Sequence, residues 1–155
     1  YTIIPACLVY CLQSLIEVGR GRDRVHLAPV SLSGVRRLLK ALRRNEAVGI
    51  LPDHVPGVGE GAWADFFGRP AYTMTLVTRL QTSAGVPVIM VSAQRLASGA
   101  GYQIRFEHVP VENFSESSLN RAVEAVVRRC PEQYLWGYNR YKTPAGAPPP
   151  TAQSS

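Results

Sequence analysis

The sequence lacks most of what announces a chemistry. Its three cysteines, Cys7, Cys11 and Cys130, are too few and too unevenly spaced for a zinc site, and they read as reduced core residues in a cytosolic setting. It has no Walker-type phosphate loop, no CxxC pair and no Ser-His-Asp set. No stretch reaches the roughly 18 consecutive apolar residues of a membrane span. The most apolar segment, residues 3–15, is interrupted by Pro5, Gln13 and Ser14. There are no internal repeats, and the chain opens at Tyr1 inside an apolar run, without a methionine. That opening reads as a chain that has lost its natural N-terminus.

Acidic residues are also scarce. Eleven Asp and Glu face 17 Lys and Arg, giving a net charge of +6 and a pI near 9.6. Charge of this sign leaves nucleic acid, anionic lipid and an acidic carrier protein open as partners. Nucleic acid is the weakest of these, because no recognised binding module is present and the aromatics are not interleaved with the basic residues.

What is present suits one domain of 155 residues with 46% hydrophobic content. Leu8 to Val18 reads as a helix stopped by Gly19 and Gly21. A second helix begins at Ser33 as cap, carries Val35, Leu38, Leu39 and Leu42 on one face and Arg36, Arg37, Lys40, Arg43 and Arg44 on the other, and closes at Asn45. Ala47 to Leu51 reads as a short strand, AWADFFGRPAY (62–72) as a loop or irregular hairpin, and Thr73 to Ala84 as a helix. Val86 to Leu96 is expected to be a buried strand, turned at residues 98–101 into a second strand, Tyr102 to Val109. Leu119, Ala122, Val123, Val126 and Val127 define a last helix, and PAGAPPPTAQSS (144–155) a disordered tail. Helices alternating with strands predict an α/β domain.

Chemistry concentrates in GILPDHVPGVGEG (49–61), where Asp53 and His54 close an apolar run and a Pro/Gly loop follows. Ligands of α/β sheets bind beyond the carboxyl ends of strands, so the pair fits the rim of a site; spacing alone favours the alternative, a turn capped by Asp53 with a solvated His54. His26 and His108 have no acidic partner at informative spacing. GRGR (19–22) places Arg20 and Arg22 where they could meet an anion or form a basic turn. Trp63, Phe66 and Phe67 either line an apolar slot or fold back on the core.

GILPDHVPGVGEG, FFGRPAYTMT (66–75) and PEQYLWGYNRYK (131–142), with the GVRRLLKAL helix (34–42), together resemble the bacterial lipid A biosynthesis acyltransferases, which are lauroyl and myristoyl transferases. The resemblance runs from about Ile16 to Pro144. It implies a partial glycerolipid acyltransferase-like domain, with a mixed sheet flanked by helices. It implies an acyl carrier protein as donor, a lipid A precursor as acceptor, no cofactor or metal, and a place at the cytoplasmic face of the bacterial inner membrane.

Catalysis in such a family rests on a His, four residues and then an acid. Here the fifth residue after His26 is Ser31, after His54 Gly59 and after His108 Asn113. The dyad is therefore expected upstream of Tyr1, and residues 1–155 alone are expected to be inactive. By the same resemblance, Arg20 sits near the acyl carbonyl or an acceptor phosphate. Asp53 and Gly57 belong to the third conserved block, and Phe66, Phe67 and Thr73 to the segment after it. ACLVYCLQS (6–14) departs from the pattern, so residues 1–15 form an atypical segment, 16–143 the domain and 144–155 the tail. A glycolipid acyltransferase of the phosphatidylinositol mannoside type, or a non-catalytic module on anionic membrane or carrier protein, are the alternatives.

Overall fold

A computed structural model describes residues 2–3, 25–29 and 31–150. The helix expected over Leu8 to Val18, the arginines of GRGR and the last five residues of the tail lie outside the described residues. The chain is α/β. It divides into two compact units, one of residues 1–51 with 82–86, the other of residues 52–81 with 87–155.

In the first unit, β1 (Thr2–Ile3) pairs in parallel with β2 (Leu27–Ala28). Helix α1 (Leu32–Leu42) packs on β2. Its cap is Ser31 rather than Ser33. Ser31 has the extended backbone of a capping residue (φ −162°), and its Oγ accepts from the Gly34 N–H at 3.3 Å. Ser33 is instead inside the first turn, its hydroxyl 2.8 Å from that of Ser31. Asn45, at φ 60°, closes the helix while the Glu46 N–H returns to the Ala41 carbonyl. Gly34 lies so close to the backbone of Pro29 that a Cβ there would stand 1.8 Å from the Pro29 carbonyl oxygen. Residues 47–51 form no strand; only Gly49 bridges.

The second unit is built from two antiparallel hairpins, most of the helix between them and a longer helix after the second. β3 (Gly61–Phe66) and β4 (Arg69–Met74) form a regular hairpin from the aromatic segment, in register from Gly61 opposite Met74 to Phe66 opposite Arg69. The two-residue turn has Phe67 at φ 48° and Gly68 at φ 73°, the double positive φ that matches the strand twist. α2 (Leu76–Ala84) follows, three residues shorter at its start than the sequence pattern suggested because Met74 is still in the ladder.

β5 (Val88–Arg95) and β6 (Tyr102–Val109) make the second hairpin through a 3-10 turn at Ala97–Gly99. β5 is not the fully buried strand expected of an apolar run. Its burial alternates, and Ile89, Val91, Ile104 and Phe106 are exposed on one face of the hairpin. α3 (Glu116–Arg129), capped by Ser115, packs mainly against β3. The core here is Phe66, Ala71, Val123 and Val127, with Phe67, Met90, Tyr134 and Tyr141 packed around it. Parallel and antiparallel pairing are both present, as the sequence implied, but in three two-stranded ladders rather than one continuous sheet.

Candidate active-site rim

The Pro/Gly loop of residues 52–60 is held at both ends. At its C-terminal end the Glu60 carbonyl accepts from the N–H and the hydroxyl of Thr75, and the Gly59 N–H donates to the Tyr72 hydroxyl. Gly59 takes φ +80° to do so. Within the loop the Gly57 N–H donates to the Glu60 carboxylate at 3.3 Å. Gly61 has no room for a side chain, because a Cβ would meet Pro56 Cγ and Tyr72 Cε1 at 2.7 Å each.

The other end is tied to the C-terminal segment. The Val55 N–H donates to the Tyr138 hydroxyl at 2.9 Å, and the His54 ring lies tilted on the Tyr138 ring, centroids 5.6 Å apart. Two residues on, Arg140 is 3% exposed. One of its terminal nitrogens donates to the Tyr72 carbonyl (2.9 Å), the other to Thr73 Oγ1 (2.8 Å) and Asn120 Oδ1 (3.1 Å), and its Nε has no partner. Among the described residues no carboxylate closes an ion pair with it. Burial pushes the guanidinium down from its ordinary value, while Tyr134, Tyr138 and the Asp53 carboxylate act to hold its proton. Burial, followed by the charge of Asp53, pushes the Tyr134 phenol up. Asp53 thus sits within electrostatic reach of buried Arg140 and half-buried Tyr134, and β4, α3 and the C-terminal segment meet at one buried positive charge.

The remaining residues singled out in the sequence fall in two places. Phe66 and Thr73 are buried. Phe66 forms the core, with the Arg140 guanidinium 5.3 Å from its ring, and Thr73 Oγ1 donates to the Ala71 carbonyl while accepting from Asn120 and Arg140. Phe67 is half-buried at the hairpin tip. Its N–H donates to the Glu124 carboxylate at 2.7 Å, and its ring is flanked by Trp136 and by the guanidinium of Arg128. Asp53, His54 and Gly57 share the loop. Arg20 and Arg22 lie outside the described residues.

Sequence reasoning missed Arg140, Asn120 and Glu124. The last two sit on the buried face of α3, one turn apart in register with Leu119, Val123 and Val127. Polar residues recurring inside an apolar stripe were the available signal, since a buried polar group requires a partner. Among the described residues no three His, Cys, Asp or Glu side chains gather as metal ligands, and no helix is long and apolar enough to cross a membrane.

Residues 9–143 match the family model of the bacterial lipid A biosynthesis acyltransferases. The lipid A biosynthesis palmitoleoyltransferase of Escherichia coli K12 is 33% identical over 130 residues, covering 80% of this chain and 42% of that protein. The lipid A biosynthesis acyltransferase of Shigella flexneri is likewise 33% identical over 130 residues, with the same coverage of both proteins. The lauroyltransferase of E. coli K12 is 29% identical over 136 residues, covering 83% of this chain and 44% of that protein. The chain therefore spans less than half the length of these curated relatives. Taken with the loop, hairpin and C-terminal segment that carry the resemblance, the match across residues 9–143 means that the chain belongs to the bacterial lipid A biosynthesis acyltransferase family.

Proposed function

We propose that this chain contributes the acceptor-side rim of an enzyme that moves a fatty acyl chain from acyl carrier protein to a hydroxyl of a lipid A precursor, at the cytoplasmic face of the inner membrane. In that reaction the acceptor oxygen gives its proton to a base and bonds to the acyl carbon. The carbon–sulfur bond of the thioester breaks, and the carrier leaves as its thiol. The base would be the histidine of a His-x4-acid pair, a spacing absent from residues 1–155. The reading assigns Asp53 and His54 to the rim. Gly57 permits close approach of the backbone, and Arg20 and Arg22 bind the acyl carbonyl or an acceptor phosphate. Phe66, Phe67 and Thr73 support the rim from beneath.

The observation that carries this reading is the pinning of the 52–60 loop. Two independent elements hold it, through Tyr72 and Tyr138. A glycine-rich loop that is half-buried over residues 52–56, exposed over residues 57–60 and fixed at both ends suits a binding rim, because preorganisation lowers the cost of orienting a substrate.

The test compares the full-length protein, its Asp53→Ala variant and residues 1–155 alone, using radiolabelled acyl-carrier-protein thioester and a lipid A precursor. Transfer by the full-length protein, a loss of at least about 100-fold in the variant and none by residues 1–155 are expected, the size being that of a mispositioned substrate. Turnover by residues 1–155 would refute the placement of the base, and full activity in Asp53→Ala would refute the rim.

A further inference from the structure

The first unit carries a second site of different character. A cleft of about 320 Å³ opens beside α1, lined by His26, Leu27, Arg37, Lys40, Ala41 and Arg44. Of the five basic residues on α1 and the turn that ends it, Arg37, Lys40 and Arg44 line the cleft beside buried Ala41, whereas Arg36 and Arg43, their neighbours on the same face, do not. Among the described residues no carboxylate lines the cleft. The ion pairs among the described residues are Arg128 with Glu124 and Arg129 with Glu107, so the three cations of the cleft have none.

That arrangement opposes helix stability. Arg37 with Lys40 and Lys40 with Arg44 are like-charge pairs at the spacings where side chains on a helix repel. A solvated face would spread such charges or intersperse acids, and here they border a concavity instead. Its floor is held in place: β2 packs on α1 with Gly34 in contact with the backbone of Pro29, where no Cβ fits.

We propose that this cleft binds a phosphomonoester group. Two guanidinium forks and an ammonium around a small concavity suit a compact, doubly charged tetrahedral anion better than a singly charged diester. An extended acidic protein surface would use the whole basic face, including Arg36 and Arg43. The cleft lies wholly within the first unit, and its binding is independent of the acyl transfer proposed above. A lipid headgroup and free phosphate are the two sources of the chemistry.

The experiment compares two variants of the full-length protein with equal loss of charge, R37Q/K40Q/R44Q in the cleft lining and R36Q/R43Q/R79Q outside it. All six side chains are exposed, so neither set removes core packing. Binding is measured to phosphatidylcholine vesicles carrying phosphatidic acid (a monoester) or phosphatidylglycerol (a diester) at matched surface charge, and to inorganic phosphate by calorimetry. The cleft variant should lose at least about 10-fold in affinity for phosphatidic acid vesicles, together with the preference for them, since each charge-assisted contact is worth about 1.5–3 kcal/mol. The control variant should lose no more than about 3-fold, the share of general surface charge. Inorganic phosphate that binds and competes identifies the phosphate alone as the ligand; vesicle binding that it does not compete identifies the lipid headgroup. Equal losses in both variants, or no preference for the monoester, would overturn the proposal in favour of diffuse attraction.

Discussion

Arg140 is a buried cation without a carboxylate, and two opposing costs decide what its removal does. Replacing it with methionine removes a charge whose burial costs several kcal/mol. It also removes three hydrogen bonds. Thr73 Oγ1 would keep its bond from Asn120, so the acceptors most affected are the Tyr72 carbonyl and Asn120 Oδ1. Each buried acceptor left without a donor costs about 1–3 kcal/mol, or about 2–6 kcal/mol for the two. The charge is already offset in place, by those acceptors, by the face of Phe66 and by Asp53. The hydrogen bonds therefore win, and Arg140→Met should lose about 2–4 kcal/mol net.

Urea unfolding followed through Trp63 and Trp136 reads this directly. With a mid-range slope of about 2 kcal/mol per molar, the midpoint should fall by about 1–2 M. Arg140→Lys should fall between wild type and Arg140→Met, because a single ammonium cannot replace a fork that reaches three acceptors. Adding Asn120→Leu to Arg140→Met should be less damaging than the sum of the two single losses, since it removes one of the orphaned acceptors. An Arg140→Met protein as stable as wild type would refute the reasoning, for it would mean that relief of the buried charge equals the lost hydrogen bonds.

The remaining predictions are local. Gly34→Ala should destabilise the first unit by about 3 kcal/mol or more, because backbone must shift to admit a Cβ 1.8 Å from the Pro29 carbonyl oxygen; circular dichroism on heating should show the lowered transition, and an unchanged one would contradict the α1–β2 contact. The Cys130 thiol donates to the Glu132 carboxylate at 2.9 Å, and that bond pushes its pKa up. In a Cys7→Ser/Cys11→Ser background, Cys130 should therefore alkylate slowly at pH 8, and Glu132→Gln should quicken it several-fold by raising the thiolate fraction. The Arg129 guanidinium, hydrogen-bonded to both carboxylate oxygens of Glu107, lowers the Glu107 pKa. A carboxylate depressed in the folded state contributes stability above its unfolded pKa and loses it as pH falls through the folded value. The fall in unfolding midpoint from about pH 5 to pH 3 should thus be shallower in Glu107→Gln than in wild type; an identical slope would dismiss the pair.

What was legible in the sequence was what depends on neighbours along the chain. β6 matches the alternating run Tyr102 to Val109 because the Gly-rich turn before it sets the register. Asn45 was recognisable as a helix stop because a left-handed residue is required there. The hairpin of β3 and β4 was harder to see. Its turn needs two positive φ values, and a phenylalanine fills the first instead of asparagine or aspartate. That choice is supported from far away, by the carboxylate of Glu124 and the rings and guanidinium around Phe67. β5 was misjudged for the opposite reason: an apolar run shows that a strand can be covered on both faces, not that it is.

The same distinction explains the site. Asp53 and His54 stand out because acid, imidazole and glycines are adjacent in sequence, but what fixes them is not. Tyr138 is 83 residues from Val55, Arg140 is 67 from Thr73 and 20 from Asn120. An arginine in PEQYLWGYNRYK reads as surface charge until Thr73 and Asn120 are seen to converge on it. Each of these polar groups would be costly to bury alone, and together they satisfy one another. The consequence is that the rim and the interior of the second unit are coupled. Substitutions at Asn120 or Thr73, though far from solvent, should disturb the Asp53 loop through Arg140, whereas substitutions at exposed Glu60 should disturb only the loop's own turn. Comparing proteolytic cleavage at residues 52–60 in Asn120→Ala and Glu60→Gln separates a rim supported from below from one held by its own turn alone, and wild-type protection in Asn120→Ala with loss of it in Glu60→Gln would favour the second.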